Sequence, residues 1–307
     1  MFCVRIPASS ANLGPGFDAL AIALSVYNYV EVEVGPAEAP IQITVLGQGA
    51  GELPEDKDNL VFKALTRAFE HQGQEVPSLS LRLVNNIPIA RGMGSSAAAI
   101  VGGLMAAQQL LEVPLSQEEM LELALELEGH PDNISAALLG GLVISCGSDD
   151  KTHYFKTQLP NSLELVVAVP EFKLSTQAAR DILPQTLTFE QAVFNLSRTA
   201  LLTAGLLTND LSVLPVALDD KLHQPYRSSL VPGMPEVFDV AKKAGALGVA
   251  LSGAGPSVIA FTQQKTEAIG AAMQQAFKDH GVAAEIIITS PATQGAEILP
   301  ELRVCTA

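Results

Sequence analysis

The chain has 307 residues, of which 48% are hydrophobic and 17% are charged. This composition is typical of a globular protein with one large domain or two smaller ones, and it excludes a disordered chain. Lysine and arginine number 18 against 33 aspartates and glutamates, so the formal net charge is −15. Because nucleic-acid binders need a basic surface, this balance argues against a nucleic-acid partner and leaves a small anionic ligand open.

The cysteines and the apolar segments indicate in which cellular compartment the protein is expected. Cys3, Cys146 and Cys305 lie far apart and form no C-x-x-C pair. We therefore expect buried, reduced thiols rather than a disulfide framework or a zinc site. The N-terminus, MFCVRIPASS, lacks the features of a signal peptide, and the longest apolar run, residues 136–144, is too short to span a bilayer. The sequence predicts a cytoplasmic protein with no membrane contact.

Strands and helices alternate in the first half of the chain. Four β-branched or alternating segments predict strands: VRI at 4–6, YVEVEV at 29–34, IQITVLG at 41–47 and SLSLRLV at 78–84. Three segments predict helices: one capped by Asn59, one at 95–111 and one from Ser116 to about Leu127. The polar segment EGHPDN then predicts a break.

The second half has a different order of elements. LELVVAVP, residues 163–170, predicts a buried strand, and a mostly helical region follows to about residue 240. ALGVALSGAGPSVIAFT, residues 246–262, predicts two strands around a glycine-rich turn, before a helix at 265–280 and a strand at 283–289. This β–α–β–β–α–β order is that of the ferredoxin-like fold. We expect an α+β protein of two domains, 1–160 and 161–307.

The segment ARGMGSSAAA, residues 90–99, suggests an anion site. Gly92 and Gly94 let the backbone approach a ligand, and several N–H groups can point at an anion beside the helix N-terminus. The alternative is a helix start whose small residues only pack against a sheet. A P-loop is excluded, because no lysine follows Gly94. The letters also match the dinucleotide pattern G-x-G-x-x-A, but the second strand with its acidic end is missing.

Three other segments accompany this glycine loop: PASSANLGPGFD at 7–18, EGHPDN at 128–133 and SGAGPS at 252–257. With PIARGMGSSA at 88–97, and in this order, they resemble the motif set of the GHMP kinases, named for galactokinase, homoserine kinase, mevalonate kinase and phosphomevalonate kinase. The first motif resembles the form of the homoserine kinase branch. The sequence departs from the family at Met93, where leucine is usual, and at Ser257, where threonine is frequent. Arg91 occupies a variable place.

The resemblance implies a fold and a reaction. The N-terminal domain would resemble ribosomal protein S5, the C-terminal domain would be ferredoxin-like, and the substrate would lie in the cleft between them. The reaction would be ATP-dependent phosphorylation of the side-chain hydroxyl of L-homoserine, giving O-phospho-L-homoserine on the way to threonine. In phosphoryl transfer the protein mainly positions the reactants and neutralises charge.

The resemblance also implies how ATP and Mg²⁺ are held. The ATP phosphates would lie against the loop formed by Pro88, Ile89, Ala90, Arg91, Gly92, Met93, Gly94, Ser95, Ser96, Ala97 and Ala98. Asn59 would lie near the adenine. Ser96 and Glu128 resemble the Mg²⁺ ligands of the family, one hydroxyl and one carboxylate, with water and phosphate oxygens completing the shell. The alternative for Glu128 is a solvated residue at a helix end.

Homoserine is a zwitterion with one hydroxyl, so its site needs groups of both signs. Asn12 and Asp18 resemble the family's partners for the ammonium group. Arg180 and Arg227 match the positions that bind the carboxylate, for which a planar guanidinium is well suited. The remaining matches to the substrate pocket are Thr176, His130 and Gly253. Alternatively, both arginines could be exposed helix residues with no role in binding. His130 could likewise be a loop histidine with only a structural role.

For Asp132 and Asn133 the sequence leaves two catalytic routes open. Asp132 aligns with the aspartate proposed as the base in relatives of mevalonate kinase, and a carboxylate there can accept the hydroxyl proton. In the alternative route Asn133 orients the hydroxyl and the proton passes to a phosphate oxygen, with no enzymic base. Other functions also stay open: a GHMP kinase for another small alcohol, a catalytically silent ligand-binding protein, or a dinucleotide-dependent oxidoreductase. The family resemblance favours a homodimer.

Overall fold

Two β-sheets, one in each half of the chain, organise the fold. The computed structural model describes residues 1–37, 39–148 and 151–299. The strands are β1 Phe2–Ala11, β2 Leu20–Val34, β3 Gln42–Gly47, β4 Leu79–Asn85, β5 Leu142–Ser148, β6 Lys151–Thr157, β7 Glu164–Pro170, β8 Gly248–Leu251, β9 Val258–Thr262, β10 Ala284–Thr289 and β11 Glu297–Leu299. The helices are α1 Leu60–His71, α2 Ser95–Gln108, α3 Gln117–Glu128, α4 Pro131–Leu139, α5 Thr176–Asp181, α6 Phe189–Thr208, α7 Leu214–Ala217, α8 Gln224–Arg227, α9 Met234–Ala244 and α10 Thr266–Asp279. Both strand-rich and helix-rich segments therefore occur in each half, which confirms an α+β protein.

The first sheet has the strand order β11-β1-β2-β4-β3, and β5 and β6 extend it from the other end of β2. Its one parallel pair among the described strands, β3 with β4, is joined by the crossover helix α1. Helix α2 lies at the centre of the helical layer and is buried on almost every side. A Cβ on Gly103 would lie 2.2 Å from the Val61 carbonyl oxygen of α1, so the glycine permits the close approach of these two helices.

The second sheet has the order β10-β7-β9-β8, with every pair antiparallel. Helices α9 and α10 pack on it, and their apolar residues share a core with Val166, Val258 and Ala260. This order and the βαββαβ succession confirm the ferredoxin-like arrangement.

Several elements escape prediction from sequence. The segment EGHPDN is not only a break, because α4 begins inside it with Pro131 in its first turn, a position where proline is favoured. Strand β6 is mostly exposed and therefore carries no burial pattern. Strand β11 pairs with β1, so this segment lies in the first sheet although it follows residue 160. The division of the chain at residue 160 stays a prediction.

The thiols differ from expectation at one position. Cys3 is buried on β1, whereas Cys146 is exposed on β5, so the expectation of a buried thiol is wrong there. Cys146 lies towards the end of β5, where the strand pairs with the mostly exposed β6. Cys305 lies outside the described residues. No helix within the described part of the chain is both long and apolar enough to cross a membrane.

Candidate active site

A polar cavity of about 120 Å³ opens between the two sheets. The predicted site residues that line it are Asn12, Asp18, Ala90, Arg91, Gly92, Met93, Gly94, Ser95, Ser96, Glu128, His130, Asp132, Asn133, Thr176, Arg180, Arg227 and Gly253. They come from segments more than 200 residues apart. The structure therefore brings the four sequence motifs and both arginines to one place.

A second cavity, of about 330 Å³, adjoins the polar one. The two share Ala90, Ser95, Ser96, Leu174 and Thr176 in their linings. The second has apolar walls from Leu53, Leu60, Val61, Leu83, Ile89 and Ala99, among others. A polar end and an apolar end joined at the glycine loop form one cleft, which is the shape that a nucleotide and a small polar acceptor require.

Three residues of the predicted phosphate loop line neither cavity. Pro88, Ala97 and Ala98 are buried and absent from both linings. Ala97 and Ala98 lie in the first turn of α2 and belong to the main hydrophobic core. Their small size serves the packing of α2, so ligand contact through their side chains is not available.

The glycine loop ends at the N-terminus of α2, where Gly94 is the N-cap with φ +68° and no side-chain cap. The first N–H groups of this helix are thus left for a ligand or water. A Cβ on Gly94 would lie 2.0 Å from Ser9 Oγ, and one on Gly92, at φ +76°, would lie 2.2 Å from the Ser252 carbonyl oxygen. Only glycine lets the β1 end and the SGAGPS turn approach the loop this closely.

Substitution of Gly92 tests this packing. In G92A we expect the free energy of unfolding to fall by about 2–4 kcal/mol, because the strain of a positive φ is added to the clash of the new Cβ with the backbone. Gly73 is the matched control, since its φ is +65° and no atom lies within 4 Å of a Cβ built there. G73A should lose about 1 kcal/mol and keep full activity. Equal losses in urea titrations of the two variants would contradict the packing argument.

Ser96 and Glu128 meet at the junction of the cavities. Ser96 Oγ donates to Glu128 Oε2 at 2.6 Å, joining the start of α2 to the end of α3. Burial raises the pKa of Glu128 above its ordinary value, and the Ser96 bond opposes this only in part. Within the described residues, Glu128 has no ion-pair partner. A half-buried carboxylate without a cation, beside a hydroxyl, suits a hard divalent ion such as Mg²⁺.

The predicted ammonium site is a strained loop. Asn12 and Asp18 both have positive φ, +71° and +55°. Asn12 Oδ1 accepts from the Asp18 backbone N–H at 3.0 Å, and Asn12 Nδ2 donates to the Gly253 carbonyl at 2.8 Å. Asn12 is 4% exposed. Its side chain therefore holds the loop shut against the SGAGPS turn, and the Asp18 carboxylate is the group that faces the cavity.

Asp18 and Arg180 pair with each other. Arg180 Nη2 donates to Asp18 Oδ1 at 2.7 Å, and Nη1 donates to Oδ2 at 3.1 Å. The sequence motifs assign the two groups to opposite ends of a substrate, and nothing in their 162-residue separation indicates a direct contact. In this structure each neutralises the other at the mouth of the polar cavity.

Arg227 is held far more firmly than Arg180. It is 1% exposed, so the alternative of an exposed helix arginine is wrong for this residue. Its Nε donates to the Ala179 carbonyl at 2.8 Å, and Nη1 lies 3.2 Å from His223 Nδ1 and 3.3 Å from the Gly253 carbonyl. Burial lowers its pKa to about 10, which still leaves the guanidinium charged at neutral pH.

Asp132 and Asn133 begin α4 beneath the cavity. Asp132 is 4% exposed, and burial raises its pKa to about 6. The Asn133 backbone N–H donates to Asp132 Oδ1 at 2.7 Å, and Asn133 Oδ1 accepts from Ser9 Oγ at 2.8 Å. Burial and the nearby Arg180 lower the pKa of His130, so this histidine is neutral at pH 7. A carboxylate whose pKa lies near neutral pH can take up a proton from an acceptor hydroxyl.

Asn59 lines the apolar cavity, but its side chain is occupied. Its Oδ1 caps α1 by accepting from the Val61 N–H at 3.0 Å, and its Nδ2 donates to the Pro54 carbonyl at 2.7 Å. The cap predicted from sequence is confirmed. These two bonds fix the side chain in the wall of the apolar cavity, and its place near the adenine stays a prediction.

Sequence reasoning missed several residues of the site. Leu174 lines both cavities and carries no chemical signal. Ser9 lies inside the quoted PASSANLG motif, but nothing in the sequence indicates its bond to Asn133, 124 residues away. His223 and Phe17 lie directly behind the arginines, and the string HQPYR placed His223 beside Arg227 in the sequence.

Comparison with known proteins shows the family of this chain. The model of the GHMP kinases N terminal domain matches residues 59–141, and that of the GHMP kinases C terminal domain matches residues 202–279. A homoserine kinase of Carboxydothermus hydrogenoformans is 51% identical over 96% of this chain and 96% of its own length, and one of Moorella thermoacetica is 44% identical over 96% and 99%. The crystal structure of homoserine kinase from Cytophaga hutchinsonii matches with a TM-score of 0.88 at 32% identity, covering 97% of both chains. The chain belongs to the GHMP kinase family and, within it, to the homoserine kinases.

Proposed function

We propose that the protein transfers the γ-phosphoryl group of ATP to the side-chain hydroxyl of L-homoserine, giving O-phospho-L-homoserine and ADP. The observation that supports this most is the polar cavity, where Asp18, Arg180 and Arg227 surround a space next to the glycine loop. A zwitterionic amino acid has the charges that these groups complement. The apolar cavity on the other side of the loop supplies a place for the adenosine part of ATP.

The zwitterion explains the Asp18–Arg180 pair. An ammonium group entering the cavity can bind the Asp18 carboxylate, and a carboxylate can bind the Arg180 guanidinium. Homoserine would then insert between the two side chains and replace one ion pair by two. Since Arg227 is fixed by three hydrogen-bond partners, it can receive the substrate carboxylate without moving.

The phosphate groups of ATP would bind the N–H groups of the glycine loop and of the first turn of α2. Ser96 and Glu128 would hold Mg²⁺, which when bound neutralises the charge of the phosphate oxygens. Asp132 would accept the proton of the homoserine hydroxyl as its oxygen attacks the γ-phosphorus, the bond to the ADP oxygen breaks, and the proton later passes to water. Asn133, held by Ser9, would orient the hydroxyl.

The Mg²⁺ assignment predicts the behaviour of Glu128→Gln. We expect the Mg²⁺ concentration for half-maximal activity to rise by about tenfold or more, because a neutral amide oxygen binds a hard cation less well than a carboxylate. Glu126→Gln is the matched control, since Glu126 lies on the same helix and faces Arg67 outside the site. Titration of activity with MgCl₂ checks this. An unchanged midpoint in E128Q would contradict the assignment.

We also propose that the protein is a homodimer. Helix α6 exposes a row of apolar side chains at helical spacing. Phe189 is 85% exposed and Leu196 is 72% exposed. Val193 lies between these two residues, and Leu207 lies further along the helix. Such a row on a surface is typical of a protein interface. We expect sedimentation velocity to give a dimer for the wild type and a monomer for Leu196→Glu. A monomeric wild type would overturn the proposal.

The alternatives predict different products. A kinase for another small alcohol would leave homoserine unphosphorylated, and a silent ligand-binding protein would release no ADP. Incubation with Mg-ATP and L-homoserine, followed by phosphorus NMR, tests the proposal directly. We expect ADP together with a new phosphate monoester on the side-chain oxygen. ADP with inorganic phosphate and no monoester would contradict it.

A further inference from the structure

His223 is fully buried behind the polar cavity and does not line it. Its Nε2 lies 2.7 Å from the Gly14 carbonyl oxygen, and its Nδ1 lies 3.2 Å from Arg227 Nη1. Gly14 belongs to the loop that carries Asn12 and Asp18, whereas Arg227 lies on α8. One imidazole ring therefore touches both the ammonium-binding loop and the carboxylate-binding arginine.

The neighbours of the ring fix the position of its proton, since Nε2 faces two acceptors, the Gly14 carbonyl and, at 3.5 Å, the Asp220 carboxylate, whereas Nδ1 faces Arg227. A carbonyl oxygen can only accept, and a guanidinium can only donate, so His223 carries its proton on Nε2 and accepts at Nδ1. Burial lowers the pKa of His223 to about 4, with a smaller lowering by the charge of Arg227, and the Asp220 carboxylate, 3.5 Å from Nε2, opposes this only in part, so the ring is neutral. Its backbone N–H donates to Asp220 Oδ2 at 2.9 Å, so the ring is anchored at its root as well.

Phe17 completes this arrangement. Its ring centre lies 5.2 Å from that of His223, and the guanidinium carbons of Arg180 and Arg227 each lie 5.3 Å from it. Contacts of this kind between a cation and a ring are favourable. Both arginines are thus set at equal distance from one rigid side chain of the ammonium-binding loop.

We propose that His223 is a positioning residue, which sets the span between Arg227 and the loop of Asp18 and so selects substrates that carry both an ammonium and a carboxylate group. The inference rests on the proposed function, because it takes homoserine as the molecule that bridges the span. It adds to that function a residue that does not touch the substrate. A purely structural histidine would stabilise the fold without distinguishing between substrates.

Two variants separate the contacts of the ring. In His223→Gln the side-chain amide reaches the position of Nε2, and Arg227 Nη1 loses the Nδ1 acceptor and keeps only the Gly253 carbonyl. In His223→Asn the amide oxygen lies near the position of Nδ1 and can still accept from Arg227. His280→Gln is the control, since His280 contacts the Ala276 carbonyl and Glu236 and lines neither cavity.

The kinetic readout uses L-homoserine and 3-amino-1-propanol, which has the ammonium and the hydroxyl but no carboxylate. For H223Q we expect KM for homoserine to rise by about tenfold or more, with KM for ATP changed by less than about twofold. Turnover of the amino alcohol should be unaffected, because it never uses Arg227. H223N should keep most of the homoserine affinity. Equal KM values for homoserine in the wild type and in folded H223Q would overturn the proposal.

A measurement on the wild type keeps the proposal testable if the variants do not fold. In protein labelled with ¹⁵N at histidine, the His223 resonances should report the Nε2–H form, and homoserine should shift the Nδ1 signal whereas ATP alone should not. No response of that signal to bound homoserine would contradict the positioning role. Failure of the proposed function is distinguishable, because the wild type would then neither bind nor phosphorylate homoserine.

Discussion

Replacement of Arg227 by lysine is expected to lower kcat/KM for homoserine by about 10- to 150-fold, which corresponds to the loss of about 1.5–3 kcal/mol from a charge-assisted contact. The guanidinium is held through Nε by the Ala179 carbonyl and through Nη1 by His223 and the Gly253 carbonyl, which leaves the two N–H groups of Nη2 for a ligand in the cavity that Arg227 lines. An ammonium group has the charge but not the planar set of donors. The loss should fall mainly on KM for homoserine.

The control for this variant is Arg67→Lys, since Arg67 pairs with Glu126 on the exposed side of α1. Steady-state kinetics with each substrate varied in turn provide the measurement, and thermal unfolding shows whether both variants remain folded. KM for ATP should be unchanged in both. If R227K kept the homoserine KM of the wild type, Arg227 would not bind the substrate carboxylate.

Substitution of Asp132 by asparagine is expected to lower kcat by about 100-fold or more, the usual contribution of a general base. Asn133 keeps its place, and the asparagine oxygen can still accept from its backbone N–H. A fall in kcat of less than about tenfold, or 1.4 kcal/mol, would contradict the role of Asp132 as the base. The route in which Asn133 orients the hydroxyl and a phosphate oxygen receives the proton would then hold.

The pKa of Asp132 gives this prediction a pH signature. Only the ionised form can accept a proton, so kcat/KM of the wild type should rise with pH through about 6 and level off above it. The residual activity of D132N should lack this rise. A wild-type profile that is flat from pH 5 to 7 would exclude Asp132 as the base.

The raised pKa of Asp132 also predicts that D132N is at least as stable as the wild type at neutral pH. The folded-state pKa of Asp132 lies above its ordinary value of 3.8, so the fold favours the protonated form, and the ionised form destabilises it as pH rises from about 4 to 6. At pH 7 this penalty is fully present and amounts to at most about 3 kcal/mol. D132N, which is neutral, should therefore be at least as stable as the wild type at pH 7 in a urea titration.

The parts of the site that could be predicted from sequence are those with local signatures. Gly92 and Gly94 are needed because backbone and Ser9 press against them, and their spacing at the start of a helix is visible in the letters. The Asn59 cap and the Ser116 capping box are likewise local, since each side chain bonds within three residues. Features of this kind can be predicted from sequence, because they depend only on residues within one short segment.

The contacts that sequence could not predict join distant segments. The Asp18–Arg180 ion pair depends on where α5 docks against the loop that follows β1, and no pattern within either segment encodes that docking. The burial of Arg227 likewise depends on α8 lying beneath the SGAGPS turn. Strand β11 pairs with β1 although almost the whole described chain lies between them, and its three residues give no periodic signal.

The central claim is the identity of the acceptor, and the most direct test is ADP release with Mg-ATP in the presence of L-homoserine, mevalonate, galactose or shikimate. The cavity that is lined by Asp18, Arg180 and Arg227 predicts turnover with homoserine and none above background with the three acceptors that lack an ammonium group. Turnover with mevalonate or galactose but not with homoserine would contradict the account.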